Sequence, residues 1–399
     1  MFKTLLSTYF ILVVLILSSC CIAADETISS DLAPSQTASP AVIEDKTPTR
    51  EEQEQAPERV SLVAVGDNLL HMPIVRWCIT SDGYDFNPLY KNVKDLVQAA
   101  DMAFVNQEGP LGGEDYAPSD YPYFNSPQEA GRDLASAGFS VVSQANNHGL
   151  DQGAGAVLST VNFWEEKEGV TMIGMNRSEQ DRQRIDVVEV RGFRFAWLAY
   201  SYGTNGMPMQ DSYLMNLIDM KSMADDIMTA KESADAVIVS MHWGSEYQFH
   251  PSPEQLELAQ FLADQGVLLV IGHHPHVIQP LAWVEGRMGN QTLVAYSLGN
   301  FISSQGKRDT MLEGMLSVTF DCSETGIFIK SFDVLPLIMH YENGGVNYCV
   351  YPVYEYTEHL AHKHCINLID DAISLKWIDD ISKEVWGDYR ILQQRQLED

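Results

Sequence analysis

Three histidines, His273, His274 and His276, close the apolar run LLVIGHHPHVIQP. Imidazole titrates near neutrality and is the commonest protein ligand for transition metals, so this density points to metal binding or proton transfer. Metal-competent groups recur at the ends of other apolar runs. Asp67 and His71 follow VSLVAVG, Asn106 and Glu108 close MAFVNQE, Asn146, Asn147 and His148 follow FSVVSQA, and His242 follows AVIVSM. One Asp, one Glu, amides and several histidines, without sulfur, form a mixed nitrogen–oxygen donor set. Such a set suits Mn, Fe or Zn in an open site, and two ions can share a bridging group. Taken singly, an Asp after Gly is ordinarily a turn or cap residue, and a His on an apolar strand is ordinarily a hydrogen-bonded core residue. Five loops carrying such groups in one chain point to a shared site.

The elements that would position these loops follow from hydrophobic period. Helices are expected in NVKDLVQAA, SPQEAGRDLASAG, GAVLSTVNFWEEKEG, near 219–233 and in SPEQLELAQFLADQG, each feeding a short β-rich run. RIDVVEV and FRFAWLAY, split by Arg191-Gly192, predict a hairpin, and TLVAYSL, GMLSVTFD and IFIKSFDVLPL follow with no helix between them. Alternation early and strands late predict an α/β sandwich with mixed sheets. In open α/β sheets the loops leaving the strand ends are where sites assemble. Residues 60–339 are expected to form this domain, with 340–399, including a helix in IDDAISLKWIDDISKEVW, as a C-terminal extension of it.

The runs VAVGDNLLH, DMAFVNQEGPL, SQANNHGLDQG, VSMHWGSEYQFHPSPEQ, IGHHPHVIQP and AYSLGNFI, in this order over residues 60–302, resemble the successive motifs of the CapA family, named for poly-γ-glutamate capsule synthesis. That family is similar to the calcineurin-like metallophosphoesterases. The resemblance implies a four-layer α/β/β/α sandwich of the metallophosphoesterase type and one or two divalent ions at the strand ends. It implies Asp67, Glu108, Asn147, His242, His274 and His276 as metal ligands, with Asp67 and His148 carrying the chemistry and His148 as the acid or electrostatic partner. His71, Asn106, Asn146, Asp151, Trp243, Glu246, His273 and Asn300 would line the pocket or support the ligands, though Trp243, Glu246 and Tyr247, in an aromatic-rich strand exit, could equally be core. Two departures stand out. The phosphoesterase pattern Asp-x-His requires His at position 69, which is Leu69, with His71 two residues on. Glu108 stands where the bridging Asp is usual, lengthening that arm by one methylene. HLAHKHC, with His359 and His362 at helical spacing, lies outside these motifs and is read as a decoy, and His250 as a rim residue.

Bulk properties limit the partners. With 25 Lys+Arg against 55 Asp+Glu the net charge is −30, which argues against binding nucleic acid through its phosphates. Residues 1–20 read as a lipoprotein signal peptide: Lys3, an apolar run, then Leu17-Ser18-Ser19-Cys20, with Cys20 as the lipidated residue. Cleavage near Ala23 or Ala24 would instead release a secreted chain. Residues 21–59 form an acidic, aromatic-poor stretch read as a disordered tether. Its nine acids and three bases cannot account for −30, so the folded part is itself acidic. Exported proteins permit disulfides, and Cys349 with Cys365 is the pair nearest in sequence among Cys78, Cys322, Cys349 and Cys365. The expected protein is extracytoplasmic and anchored to a bacterial membrane. It would act with an anionic surface polymer or the membrane synthase complex, in synthesis, export or trimming. Two alternatives are a non-catalytic polymer- or synthase-binding subunit and a metal-dependent phosphoesterase.

Overall fold

The computed structural model describes residues 57–387. The leader, Cys20 and nearly all of the tether lie outside the described residues. In chain order the strands are β1 (Glu58–Leu69), the two-residue β2 (Ile79–Thr80) and β3 (Gly83–Tyr84), β4 (Met102–Glu108), β5 (Val141–Ser143), β6 (Thr171–Ile173), β7 (Asp186–Val190) and β8 (Phe193–Ser201). They continue with β9 (Ala236–His242), β10 (Leu269–His273), β11 (Leu281–Glu285), β12 (Gln291–Ala295), β13 (Leu312–Ser323), β14 (Gly326–Glu342) and β15 (Val346–Pro352).

Two mixed sheets result. One runs β15-β14-β13-β1-β4-β5-β6 and the other β11-β12-β10-β9-β8-β7. β1, β4, β5 and β6 are parallel, as are β8, β9, β10 and β12, while the remaining neighbours pair antiparallel. The expected hairpin is β7–β8. β6, β11 and β15 are additions that the sequence pattern did not announce. Each is short or lies at a sheet edge, where periodicity carries little signal. The expected helix in NVKDLVQAA is realised only as the short helix Lys94–Gln98, with a separate one-turn helix, Asn87–Tyr90, just before it.

Alternation along β8 shows how the layers form. Phe195, Trp197 and Ala199 face the space between the sheets, where Trp197 stacks on Phe104 at 5.7 Å and Phe195 meets Phe320 at 5.3 Å. Ala196, Leu198 and Tyr200 face the other way, onto Met223 and Ile227 of helix Met220–Ser233 and Leu258 and Leu262 of helix Pro253–Asp264. Helices Gln128–Ala137 and Gly153–Glu165 pack with the first sheet through Leu134, Val157 and Trp164. The fold is the α/β/β/α sandwich with mixed sheets. Helix Pro253–Asp264 starts on a full capping box, Ser252 with Gln255, and Pro253 in its first turn. That cap ends the loop leaving His242.

The strand exits meet because two backbones approach closely. The Asp67 amide donates to the Gly299 carbonyl at 3.0 Å, and the Ile302 amide donates to the Asp67 carbonyl at 3.1 Å. A Cβ on Gly66 would lie 1.9 Å from the Gly299 oxygen, so this crossing requires glycine. The SLGNF segment is thereby laid against the end of β1.

The thiols Cys78, Cys322, Cys349 and Cys365 are all free, so none of the three pairings that the sequence left open, Cys349 with Cys365 included, is formed. Cys349 lies on β15 opposite His340 of β14 and takes a hydrogen bond from Asn92 Nδ2 instead. Burial pushes the Cys78 and Cys349 thiols up to about 12, so both are unreactive. The HLAHKHC segment resolves differently from its spacing. His359 and His362 are exposed, while His364 turns inward against His340, ring centroids 5.1 Å apart. His364 Nε2 donates to the Met339 carbonyl, and His340 Nδ1 is paired with Tyr356 Oη.

Burial lowers both buried imidazoles to about 4, with the charge of Lys363 adding to the effect at His340. Their ordinary value is 6.5, so between pH 6.5 and 4 the unfolded chain binds more protons and stability falls as pH falls. The loss is on the order of 3 kcal/mol per imidazole once pH is below the folded value. Urea unfolding at pH 7 and pH 5 should show a clear loss in the wild type and a smaller one in His340→Gln. Equal losses would contradict the burial of a neutral pair.

Candidate metal centre

Every group here sits where a strand ends. Asp67 closes the inner part of β1, where the register shifts between Ala64 and Asp67 and turns the carboxylate into the cleft. It is fully buried. Asn106 Nδ2 donates to its Oδ1 at 2.7 Å and the His274 amide to its Oδ2 at 3.0 Å, with His276 Nδ1 at 3.5 Å and His273 Nδ1 at 3.6 Å. Burial works against the charged form, but the hydrogen bond from His276 and the charges of His273 and His276 outweigh it and hold the carboxyl below its ordinary range. His276 is the counterpart. Burial would lower it, yet Glu108 and Asp67 raise it to about 9. Asp67 and His276 thereby form a buried ion pair.

Glu108 is different. It is fully buried, and neither carboxylate oxygen has a hydrogen-bond partner. Burial, and then the charge of Asp67, push it well above the usual carboxylate range. His242 Nε2 is 4.0 Å from its Oε1.

The histidines form a chain. Ser240 Oγ and His273 Nε2 are 2.7 Å apart, His273 Nδ1 and His242 Nδ1 are 2.7 Å apart, and His242 Nε2 lies 2.9 Å from Asn147 Oδ1. His273 is thus the residue that sets the orientation of His242. His274 is capped by Tyr202, ring centroids 4.6 Å apart, and its buried Nδ1 has no partner. Burial lowers His273 to about 4 and His274 to about 3, and brings His242 well below its ordinary value. Neutral imidazoles are the form that binds metal. Both His274 and His276 have left-handed backbones, φ +98° and +59°, an uncommon conformation outside glycine that gathers at functional sites.

Three overlapping trios of donors have their ligand atoms within 4.8 Å of one another: Asp67–His242–His273, Asp67–Glu108–His276 and Glu246–His274–His276. The orphaned Glu108 oxygens, the orphaned His274 Nδ1 and this nitrogen–oxygen chemistry fit a divalent cation. Asn147 Oδ1 faces the same cleft through its contact with His242.

His148 sits beside the trios. Its Nδ1 is 2.7 Å from Asp151 Oδ2, which also accepts the Phe124 amide. The Phe124 ring meets His148 edge-on at 4.7 Å. Asp151 thereby fixes the tautomer and leaves Nε2 for chemistry.

The remaining expectations divide. Asn300 Oδ1 accepts from His276 Nδ1 at 2.9 Å. Asn106 supports Asp67. Asn146 closes a turn, accepting the Gly109 amide and donating to the Gln107 carbonyl. Trp243 does not line the pocket: it is buried in the outer core, stacked on Tyr296 with its indole N–H on the Tyr296 carbonyl. The strand alternation at the end of β9 turns it away from His242. His71 joins none of the trios. Its Nδ1 is 3.2 Å from the Leu69 carbonyl and 3.4 Å from the Ser304 amide, and its ring packs on Phe124. His250 lies in the loop before helix Pro253–Asp264.

Two contributors escaped the sequence reading. Tyr202 and Asn205 come from the loop after β8, a sixth strand exit. Asn147 Nδ2 donates to Tyr202 Oη at 3.3 Å and to Asn205 Oδ1 at 3.2 Å, and Asn205 Nδ2 is 3.4 Å from both ring nitrogens of His148. The aromatic and amide of SYGTNG, next to glycines at a strand end, were the available signal.

A family model described as bacterial capsule synthesis protein PGA_cap matches residues 61–305. The capsule biosynthesis protein CapA of Bacillus anthracis is 30% identical over 294 residues, 70% of this chain and 67% of its own length. The PGA biosynthesis protein CapA of Bacillus subtilis (strain 168) is 28% identical over 257 residues, 63% of this chain and 65% of its own. The match thus spans about two thirds of the length of these curated relatives. Among solved structures, a 5′-nucleotidase precursor from Thermus thermophilus overlays 70% of this chain and 54% of its own, at 15% identity and TM-score 0.43.

Proposed function

The chain belongs to the bacterial capsule synthesis protein family PGA_cap, and we propose that it acts on poly-γ-glutamate or a related anionic surface polymer, in synthesis, export or trimming, through a metal-dependent hydrolase-type site. The observation that carries this reading is Glu108: a fully buried carboxyl with both oxygens unpartnered, between Asp67 and the histidines. An unsatisfied buried carboxyl costs about 1–3 kcal/mol or more, and a cation is the partner its surroundings are built to admit. Asp67, Glu108, Asn147, His242, His274 and His276 would hold one or two divalent ions, Mn, Fe or Zn. A divalent ion bound there supplies Lewis acidity toward the scissile group and toward water.

The chain's own residues do the rest. His273 locks the ring of His242, and Asn300 locks that of His276, so that each presents one nitrogen to the cleft. His148, aimed by Asp151, holds a proton at Nδ1 and exchanges one at Nε2 with the leaving group. Tyr202 and Asn205 close the rim above Asn147 and His148. A bound cation also offsets the repulsion between an acidic protein and a polyanion.

Attachment through Cys20 would hold the domain outside a bacterial membrane on a tether. Among the described residues no helix is long and apolar enough to cross a membrane. The test is metal analysis of the full chain, paired with turnover of γ-glutamyl oligomers and of a chromogenic phosphate ester, with and without added Mn²⁺. Stoichiometric metal and metal-dependent cleavage of the γ-glutamyl chain are expected. Cleavage of the phosphate ester alone would make it a phosphoesterase, and bound metal without turnover a binding subunit.

A further inference from the structure

Glu246 differs from every other member of the three trios in being exposed. It lies on the loop between β9 and helix Pro253–Asp264, and that loop is fastened to the His-Pro-His turn at two points. The Trp243 amide donates to the His273 carbonyl at 3.1 Å, and the Tyr247 amide donates to the carbonyl of Pro275, the residue between His274 and His276, at 2.8 Å. Tyr247 takes a left-handed backbone, φ +62°, to do this. Together with His274 and His276, three non-glycine residues adopt positive φ around one point. Each such conformation is strained for a residue with a side chain and persists only where the surroundings enforce it. The Tyr247 ring lies 6.1 Å from that of His276, and Lys307 Nζ covers its face at 3.3 Å.

The result is that a carboxylate oxygen of Glu246 comes within 4.8 Å of ligand nitrogens on His274 and His276. His274 offers a buried Nδ1 with no hydrogen-bond partner. His276 Nδ1 is engaged by Asn300 at 2.9 Å, which makes Nε2 the nitrogen it can offer to an ion. His276 also belongs to the Asp67–Glu108 trio, so Glu246 extends that site toward solvent. Leu69, at the end of β1, offers no donor, and His71 is turned onto Phe124.

We propose that Glu246 is a metal ligand, completing with His274 and His276 a solvent-facing coordination position at the edge of the Asp67–Glu108–His276 trio. This rests on the metal reading given above. A carboxylate donor makes the position harder and more oxygen-rich, which favours Mn²⁺ relative to softer ions. Being exposed and on a loop, this ligand is also the one through which an ion would enter and leave.

The test measures metal binding by the full chain, stripped with chelator, using Mn²⁺ paramagnetic resonance and calorimetric titration. Glu246→Gln should bind Mn²⁺ at least tenfold more weakly and alter the resonance of the bound ion. Glu257→Gln, on the exposed side of helix Pro253–Asp264, makes the same change in net charge and should leave binding unchanged. Mn²⁺ affinity of Glu246→Gln within twofold of wild type would overturn the inference, as would equal weakening by both variants, which would reflect charge alone. A wild type that binds no divalent ion would instead overturn the metal reading itself. Circular dichroism and thermal unfolding check that each variant is folded. Should Glu246→Gln not fold, Glu246→Asp, which keeps the charge and shortens the arm, should show the same loss of affinity, and wild-type affinity there would equally overturn the inference.

Discussion

Asp67→Asn is expected to weaken divalent-metal binding by at least about a hundredfold and to abolish any metal-dependent turnover. Asp67 belongs to two of the three donor trios, and it is the only carboxylate in one of them. The amide keeps the shape but not the charge. Both Asp67 oxygens now accept hydrogen bonds, from Asn106 Nδ2 and from the His274 amide. An amide nitrogen at either place would meet a donor, leaving a buried group unsatisfied at a cost of about 1–3 kcal/mol. The same change removes the partner of His276, whose value near 9 depends on Glu108 and Asp67. In the wild type a metal ion would have to displace the His276 proton, so proton release on binding and an affinity that falls as pH falls are expected. Titration calorimetry in buffers of different ionisation heat would measure that release. Wild-type affinity in Asp67→Asn would remove the basis for the site.

Glu108→Gln should separate stability from metal binding. In chelator at neutral pH the variant is expected to be more stable than the wild type, because the folded wild type must take up a proton at the buried Glu108 carboxyl and a neutral amide need not. The sign follows from linkage. The folded-state value lies well above the ordinary 4.5, mainly through burial. The folded chain therefore binds more protons than the unfolded chain above pH 4.5, and the metal-free wild type loses stability as pH rises from there. The glutamine variant lacks this loss, so its advantage grows between pH 5 and pH 8. Saturating metal reverses the order. At a thousand times the dissociation constant an ion stabilises the wild type by roughly 4 kcal/mol, and the variant gains far less. Denaturant unfolding with chelator and with Mn²⁺ at both pH values measures all four states. A wild type more stable than Glu108→Gln in chelator would mean that Glu108 has a partner of its own.

The parts legible in the sequence were local ones. An apolar run ending in Gly-Asp, Asn-His or His-x-His is readable because burial of a strand and polarity of its exit are written in neighbouring residues. Asp67, Glu108, Asn147, His242, His274 and His276 were singled out this way and by resemblance, as was the mixed-sheet sandwich that brings them to one cleft. The helices were equally local where a cap such as Ser252 and Gln255 marks the start.

What the residue order alone did not determine were the contacts that require two distant segments to meet. His364 was set aside in the decoy motif, yet it pairs with His340 from β14, 24 positions earlier, since only the packing of the C-terminal turn against that strand brings the rings together. Trp243 followed a ligand histidine and was expected at the pocket. The pleat of β9 sends alternate side chains to opposite faces and buries it among Tyr296 and the outer helices. Tyr202 and Asn205 become part of the site only because β8 lies parallel to β9, which puts its exit beside that of His242. Glu246 was legible as a residue of the pocket. Its approach to His274 and His276 depends on the Tyr247 amide finding the Pro275 carbonyl, a hydrogen bond between a loop and a turn that no periodicity encodes.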